Sequence, residues 1–257
     1  MMEKIIFKNS KGQNLVGNLF LPEGGGKFPA AIFVHGYRSD KNSSKAKILS
    51  GVLPEKGIAL FVIDLSGRGE SEGKFEDTTV TQYIDDLKCA IDFLTSKEQI
   101  DSGRIAVIGS SLGGLVSLQE AAKDDRIKLL VLISPVSYFP YREKGEYSPE
   151  KIKKWKEKGH MFTESKRFGK MKINYSFYED GTKYRDYSVY DNIKIPVVVI
   201  HGTEDESVSI EFSQKLVEHL KGANLAVVEG ADHNYSKQED CDKMINETVK
   251  FLEVHLK

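Results

Sequence analysis

The 257-residue sequence is sparing with several residue types, and each scarcity removes a class of function. Only two cysteines occur, Cys89 and Cys241. They are far apart and match neither zinc-binding nor redox spacing, so a disulfide framework is excluded and a reducing compartment is expected. Net charge is −1, so no overall field draws the chain to nucleic acid or to a membrane surface. No apolar run approaches membrane-spanning length, and the opening "MMEKIIFKNSKG" has no apolar signal core. The chain is accordingly expected to be soluble and cytoplasmic, with no membrane span. There is no H-E-x-x-H, no clustered Cys/His and no phosphate-loop pattern. "DLSGRGESEG" has glycines near a strand end but lacks G-x-G-x-x-G spacing. Neither a metal nor a cofactor is expected.

What is present is an alternation. "EKIIFKN" and "NLVGNLFLP" look like two strands joined by the turn "SKGQ". "FPAAIFVHG", "GIALFVIDLSG", "RIAVIG", "LLVLIS" and "IPVVVIHG" are short, nearly continuous apolar runs, as strands buried on both faces of a parallel sheet require. Helical patterns lie between them. In "VTQYIDDLKCAIDFLTSK" the apolar positions Val80, Tyr83, Ile84, Leu87, Ala90, Ile91 and Leu94 fall at helical spacing. "SSKAKILSGVLPEKG", ended or kinked at Pro54, "LGGLVSLQEAAKD", "SIEFSQKLVEHLKG" and "CDKMINETVKFLEVHL" read as further helices. The expected architecture is α/β, a mostly parallel central sheet flanked by helices.

The alternation fails once. About 50 residues, Ser137 to Tyr187, separate the sixth apolar run from the seventh. They are rich in lysine and aromatics, far longer than a crossover needs. One helix near "SPEKIKKWKEKG" followed by less regular structure is expected there. Because loops after parallel strands lie at the sheet's carboxyl edge, where such folds bind ligands, this insertion is read as a lid. The expected divisions are a core of 1–136, a lid of 137–187 and a second core segment of 188–257. Residues 142–172 carry 11 Lys/Arg against 5 Asp/Glu, a solvated basic surface or an attractor of anions. Tyr138, Phe139, Tyr141, Trp155, Phe162, Phe168, Tyr175, Phe177 and Tyr178 are expected to divide between the lid's interior and a pocket wall.

The chemistry is written at "VIGSSLGGL", residues 107–115. Gly109-Ser110-Ser111-Leu112-Gly113 matches G-x-S-x-G with Ser111 central, whereas centring on Ser110 would need glycine at position 108, which is Ile108. Such a turn between strand and helix is strained, and the residues two before and two after the serine must be small. Its backbone also leaves the N–H of Leu112 at a helix start, where it can bind an oxyanion. A bare helix N-cap would explain the serine alone. A serine nucleophile, however, needs a base, and the base an orienting acid, in the chain order Ser, acid, His. Asp205 follows the strand "IPVVVIHG", with Glu204 and Glu206 as neighbours able to serve equally as helix caps. His233 follows "NLAVVEG". His35 and His201 precede glycines at strand ends and are expected to shape tight turns. His219 and His255 fall within helices, and His160 within the insertion.

"FVHGYRSD", "DLSGRGES", "GSSLGG", "HGTEDESV" and "GADHNY" together resemble the serine hydrolases of the α/β-hydrolase fold superfamily, over residues 33–235. The resemblance implies a catalytic set of Ser111, Asp205 and His233. It implies a second oxyanion donor, the backbone N–H of Tyr37, and structural roles for Asp64, Gly67, Gly69 and Ser71. Among subfamilies the chain is similar to small intracellular cinnamoyl or feruloyl esterases with an insertion after the sixth strand. It also resembles the catalytic domains of prolyl oligopeptidase-type peptidases, which usually carry an accessory domain before the core strands that here open the sequence. The expected activity is hydrolysis of small to medium carboxylic esters, the partner being the small-molecule ester itself. A peptidase, an acyltransferase or a non-catalytic ligand receptor on the same scaffold are the alternatives, and the oligomeric state is open, a homodimer included.

Overall fold

The computed structural model describes residues 1–140, 147–165 and 167–256. An eight-stranded sheet runs in the order β1 (Met2–Lys8), β2 (Asn14–Phe20), β4 (Ala59–Ile63), β3 (Phe28–Val34), β5 (Ile100–Ser110), β6 (Ile127–Ile133), β9 (Val197–Gly202) and β10 (Asn224–Val228). β2 is antiparallel to β1 and β4; the pairs from β4 to β10 are parallel. No helix among the described residues is long and apolar enough to cross a membrane.

The continuous apolar runs have a direct cause. Successive strand residues face opposite sides, and here both sides are covered. In β3, Ala30, Ile32 and Val34 join the core on one face, and Ala31 and Phe33 join the core on the other. The first core is closed by α2 (Val80–Thr95), α3 (Leu112–Ala121) and α6 (Ile210–His219); the second by α1 (Ser44–Glu55) and α7 (Gln238–Leu256). Helix starts are marked chemically: the Ser43 hydroxyl accepts from the N–H of Ala46, and Thr79 from that of Gln82. Pro54 sits in the last turn of α1, where it ends the helix without disrupting earlier turns.

Between β6 and β9 the chain builds more regular structure than its sequence suggests. After α4 (Pro149–Lys158) comes an antiparallel hairpin, β7 (His160–Ser165) with β8 (Gly169–Asn174), and then α5 (Tyr175–Gly181). The expectation of irregular structure here is corrected. These short strands lack a readable apolar alternation because little of them is buried, chiefly Thr163 and Ile173. Trp155, Phe139 and Phe177 are fully buried and join the same apolar cluster as α2 and α3, whereas Phe162 is 52% exposed. The segment's interior is therefore continuous with the main core. Tyr141 lies outside the described residues.

Trp155 anchors α4 to the hairpin, its indole N–H donating to the Ile173 carbonyl at 3.2 Å and its ring meeting Tyr175 edge-on. Trp155→Ala removes a buried aromatic of the kind worth roughly 3–5 kcal/mol. We expect limited proteolysis to cut the variant within 147–181 at a protein concentration and time that leave the wild type intact. Equal resistance would show that the indole is not what holds this segment.

Candidate active site

The sheet delivers its loops to one edge. Ser111 follows β5, Asp205 follows β9 and His233 follows β10. Ser111 adopts φ 54°, ψ −121°, in the left-handed half of backbone space that an L-residue avoids. Hydrogen bonds hold it there: its N–H donates to Ile133 O at 3.0 Å, and its carbonyl accepts from Gly114 at 2.8 Å and Val136 at 2.9 Å. The flanking glycines are required by contact. A Cβ on Gly113 would lie 2.2 Å from the Val34 carbonyl oxygen, and one on Gly109 2.5 Å from Ser117 Oγ. The spacing that singled out Ser111 thus has a steric origin in the packing of α3 against β3 and β5.

The structure brings Ser111, His233 and Asp205 together. His233 Nε2 lies 3.1 Å from Ser111 Oγ, and His233 Nδ1 lies 2.6 Å from Asp205 Oδ2. With Nδ1–H donating to the carboxylate, Nε2 is left to accept the serine proton. Glu204 and Glu206 are exposed, whereas the Asp205 side chain has no exposure. Burial alone would raise the Asp205 pKa. The donors His201, His233 and the Val208 N–H outweigh it and hold the carboxyl well below the usual carboxylate range.

His201 was expected to shape a turn, and its role is larger. It is fully buried; Nε2 reaches Val208 O at 2.9 Å and Asp205 Oδ2 at 3.2 Å, and Nδ1 meets Ser213 Oγ at 2.7 Å. The ring fastens the acid's loop to α6. Nothing in a lone His-Gly at a strand end announces this. His35 is also structural: Nδ1 donates to Gly36 O at 2.8 Å and Nε2 accepts the Leu65 N–H at 3.2 Å. Burial pushes its pKa down to about 4, so it is neutral at pH 7 and steadies the loop carrying Tyr37. A Cβ on Gly36 would lie 3.1 Å from Ser111 Cβ, so that loop packs directly on the serine. Leu112 opens α3 immediately beyond Ser111. The backbone N–H groups of Tyr37 and Leu112 thus come from the two segments that flank Ser111. Asp64 is fully buried and meets Lys41 Nζ at 2.6 Å, bracing the same region.

A cleft of about 670 Å³ opens over Ser111 and His233. Tyr147, Lys45 and Arg167, none of them marked by a motif, also line it. The hairpin straps over one side: Arg38 donates to the Glu164 carbonyl at 2.8 Å, and Arg167 pairs with Asp40 at 2.7 Å. Among the described residues no group of three or more His, Cys, Asp or Glu side chains could hold a metal ion.

The prolyl oligopeptidase family model matches residues 44–257. The chain is 26% identical over 231 residues to the bovine mitochondrial palmitoyl-protein thioesterase ABHD10, covering 86% of this chain and 72% of that protein. It is 28% identical over 144 residues to the thiohydrolase aneE of Aspergillus aculeatus, covering 54% and 43% of the two chains. Among solved structures it resembles Est1E of Butyrivibrio proteoclasticus with ferulic acid bound, at TM-score 0.85, 25% identity and 98% coverage of both chains. Mouse α/β hydrolase domain-containing protein 10 superimposes at TM-score 0.79 with 23% identity, over 98% and 99% of the two chains.

A hydroxyl hydrogen-bonded to an imidazole that is itself bonded to a buried carboxylate is an activated nucleophile. A fluorophosphonate probe should therefore attach once, at Ser111, and His233→Ala should slow labelling at least a hundredfold. Peptide mapping checks it. Labelling of Ser110 instead would contradict the geometry.

Proposed function

The chain belongs to the prolyl oligopeptidase family, hydrolases of the α/β fold, and from that premise we propose that it is a serine hydrolase cleaving carboxylic esters of small to medium acyl or aryl groups. The observation that carries this reading is the unbroken relay Ser111–His233–Asp205, at 3.1 and 2.6 Å, at the base of a cleft. In the proposed reaction Ser111 Oγ attacks the ester carbonyl as its proton passes to His233 Nε2. Asp205 supports the imidazolium. The N–H groups of Leu112 and Tyr37 receive the oxyanion, the former aided by the positive end of α3. The C–O bond then breaks, the departing alkoxide takes the proton from His233, and the acyl group remains on Ser111. Water, deprotonated by His233, releases the acid.

The strapped cleft favours this over a peptidase. Its volume suits a drug-sized ligand rather than a folded polypeptide. Thioester hydrolysis is a second reading, favoured by the thioesterase and thiohydrolase names of its relatives. The relay serves it equally, with a thiolate as leaving group. Assays of p-nitrophenyl esters, acyl thioesters and peptide anilides separate the readings. We expect turnover of esters, dependent on Ser111; turnover confined to anilides would replace the proposal.

Within this mechanism the acid is specific. Asp205→Asn should lower kcat by roughly 10⁴-fold, since an amide can hold the wrong histidine tautomer, whereas Glu204→Gln and Glu206→Gln should stay within a few-fold. Steady-state kinetics of the three variants decide the assignment, and equal losses would leave the acid elsewhere.

The segment between β6 and β9 is proposed to set substrate choice rather than competence, because none of the relay lies on it. Tyr147 on the cleft wall is its best-placed reader of the acyl group. Tyr147→Ala should raise KM for cinnamoyl or long acyl esters by roughly three- to tenfold, each enclosed CH₂ being worth about 0.8 kcal/mol. Acetyl esters should change less, and equal loss on both would refute the assignment.

A further inference from the structure

One wall of the cleft is chemically unlike the others. It is the start of α1, where Ser43, Ser44 and Lys45 line the same space as Ser111 and His233. The first turn of α1 holds no acidic residue, although the positive end of a helix favours one. It holds a lysine instead. Lys45 is about nine-tenths buried. Among the described residues its ammonium has one long hydrogen bond, 3.3 Å to the backbone carbonyl of His233, and it lies 5.3 Å from the centre of the Tyr235 ring. Among the described residues no carboxylate is ion-paired with it. An ammonium has three donors, and a buried cation is ordinarily paired. Its burial shows in its acidity: desolvation outweighs the nearby carboxylates Asp205 and Asp232 and pushes the pKa down to about 8.

Seating the His233 loop needs one neutral donor and does not need a charge. The orphan positive charge points to a ligand that brings the negative one. We infer that the acyl substrate carries an oxyanion, a carboxylate or phosphate group, which the Lys45 ammonium at the start of α1 binds while Ser111 attacks the ester.

This rests on the serine hydrolase reading and narrows its substrate class. The other charged groups on the cleft are consistent with a local site rather than a diffuse field. Arg167 is paired with Asp40, Arg38 is engaged with the hairpin backbone, and Glu164 belongs to β7 of the hairpin. Lys45 also touches the relay residue directly, since its hydrogen bond ends on the His233 carbonyl. Bound anion would restore the usual state of a buried ammonium.

The test uses matched esters. On the acyl side, mono-p-nitrophenyl succinate is compared with p-nitrophenyl butyrate, which has the same chain length and no charge. On the leaving-group side, the acetyl esters of 4-hydroxybenzoate and of 4-hydroxyphenyl phosphate are compared with that of 4-hydroxybenzamide, which separates carboxylate from phosphate. At least one anionic ester should exceed its neutral counterpart in kcat/KM by roughly tenfold to a hundredfold, mainly through KM. Lys45→Met should bring that ratio to near one, and Lys45→Arg should restore part of it.

Ratios near one for every pair in the wild type would overturn the inference. So would a Lys45→Met variant that loses anionic and neutral turnover equally, which would reduce the lysine to a support for His233. If Lys45→Met does not fold, competitive inhibition of wild-type butyrate hydrolysis by succinate and by inorganic phosphate decides, and inhibition by neither overturns the proposal. Absence of hydrolysis for all esters would remove the serine hydrolase reading instead. Calorimetric titration of succinate and phosphate into the wild type would then judge the anion site by itself, no binding counting against it.

Discussion

Ser111 stands in a backbone conformation that the chain would leave if its surroundings let it. Its φ of 54° is held by three backbone hydrogen bonds to β6, to α3 and to the segment leaving β6. It is also held by the absence of side chains at Gly109 and Gly113, where α3 presses to within contact of β3 and β5. A strained residue of this kind costs on the order of 1–3 kcal/mol, and the surrounding core must over-determine it. That requirement reaches outward. The close approach of α3 needs bare backbone on β5, the parallel strands must be covered on both faces, and the two apolar cores follow. The strain places the hydroxyl above the sheet and the start of α3 beside it.

Much of this was legible because the relevant residues are constrained locally. G-x-S-x-G is a steric statement about five consecutive residues, and continuous apolar strands announce burial on both sheet faces. The order of Ser111, Asp205 and His233 was legible because each sits just past a strand that could be recognised by its own composition. What could not be read depends on contacts between distant segments. His201 and Asp205 are four residues apart, yet the ring's role is visible only when α6 supplies Ser213 and the loop supplies Val208 O. The β7–β8 hairpin is not legible because it buries too little for alternation to appear, and one face of β8 carries Lys170 and Lys172. Tyr147 and Lys45 carry no motif, and the fold alone brings both to the cleft.

The segment between β6 and β9 is tied to the main core by its packing. Its position at the sheet's carboxyl edge suggests a lid beside the site. Phe139, Trp155 and Phe177 continue the core beneath it, and Arg68 lies over the Phe75 and Phe168 rings with its Nη1 against Met171 Sδ. Arg68 is 4% exposed and carries no carboxylate partner among the described residues, so aromatic faces supply its main compensation. Its hydrogen bond from Nε to Ser39 O ties the same contact to the loop beside the site. A wall anchored this way presents its side chains to the cleft from a packed base.

The charges around Ser111 divide by depth. Asp205 is buried and kept ionised by two imidazoles and two backbone N–H groups, so its charge is matched within the scaffold. Asp64 is likewise matched by Lys41, and His35 avoids the problem by remaining neutral. In each case a buried polar group is satisfied by protein alone, as the cost of an unpaired charge demands. Lys45, on the α1 wall of the cleft, departs from the pattern. Arg68 is also buried without a carboxylate, but two aromatic faces and the Ser39 carbonyl surround its charge. Lys45 has the His233 carbonyl and one ring, and it lines the cleft, where an anionic substrate supplies the missing charge.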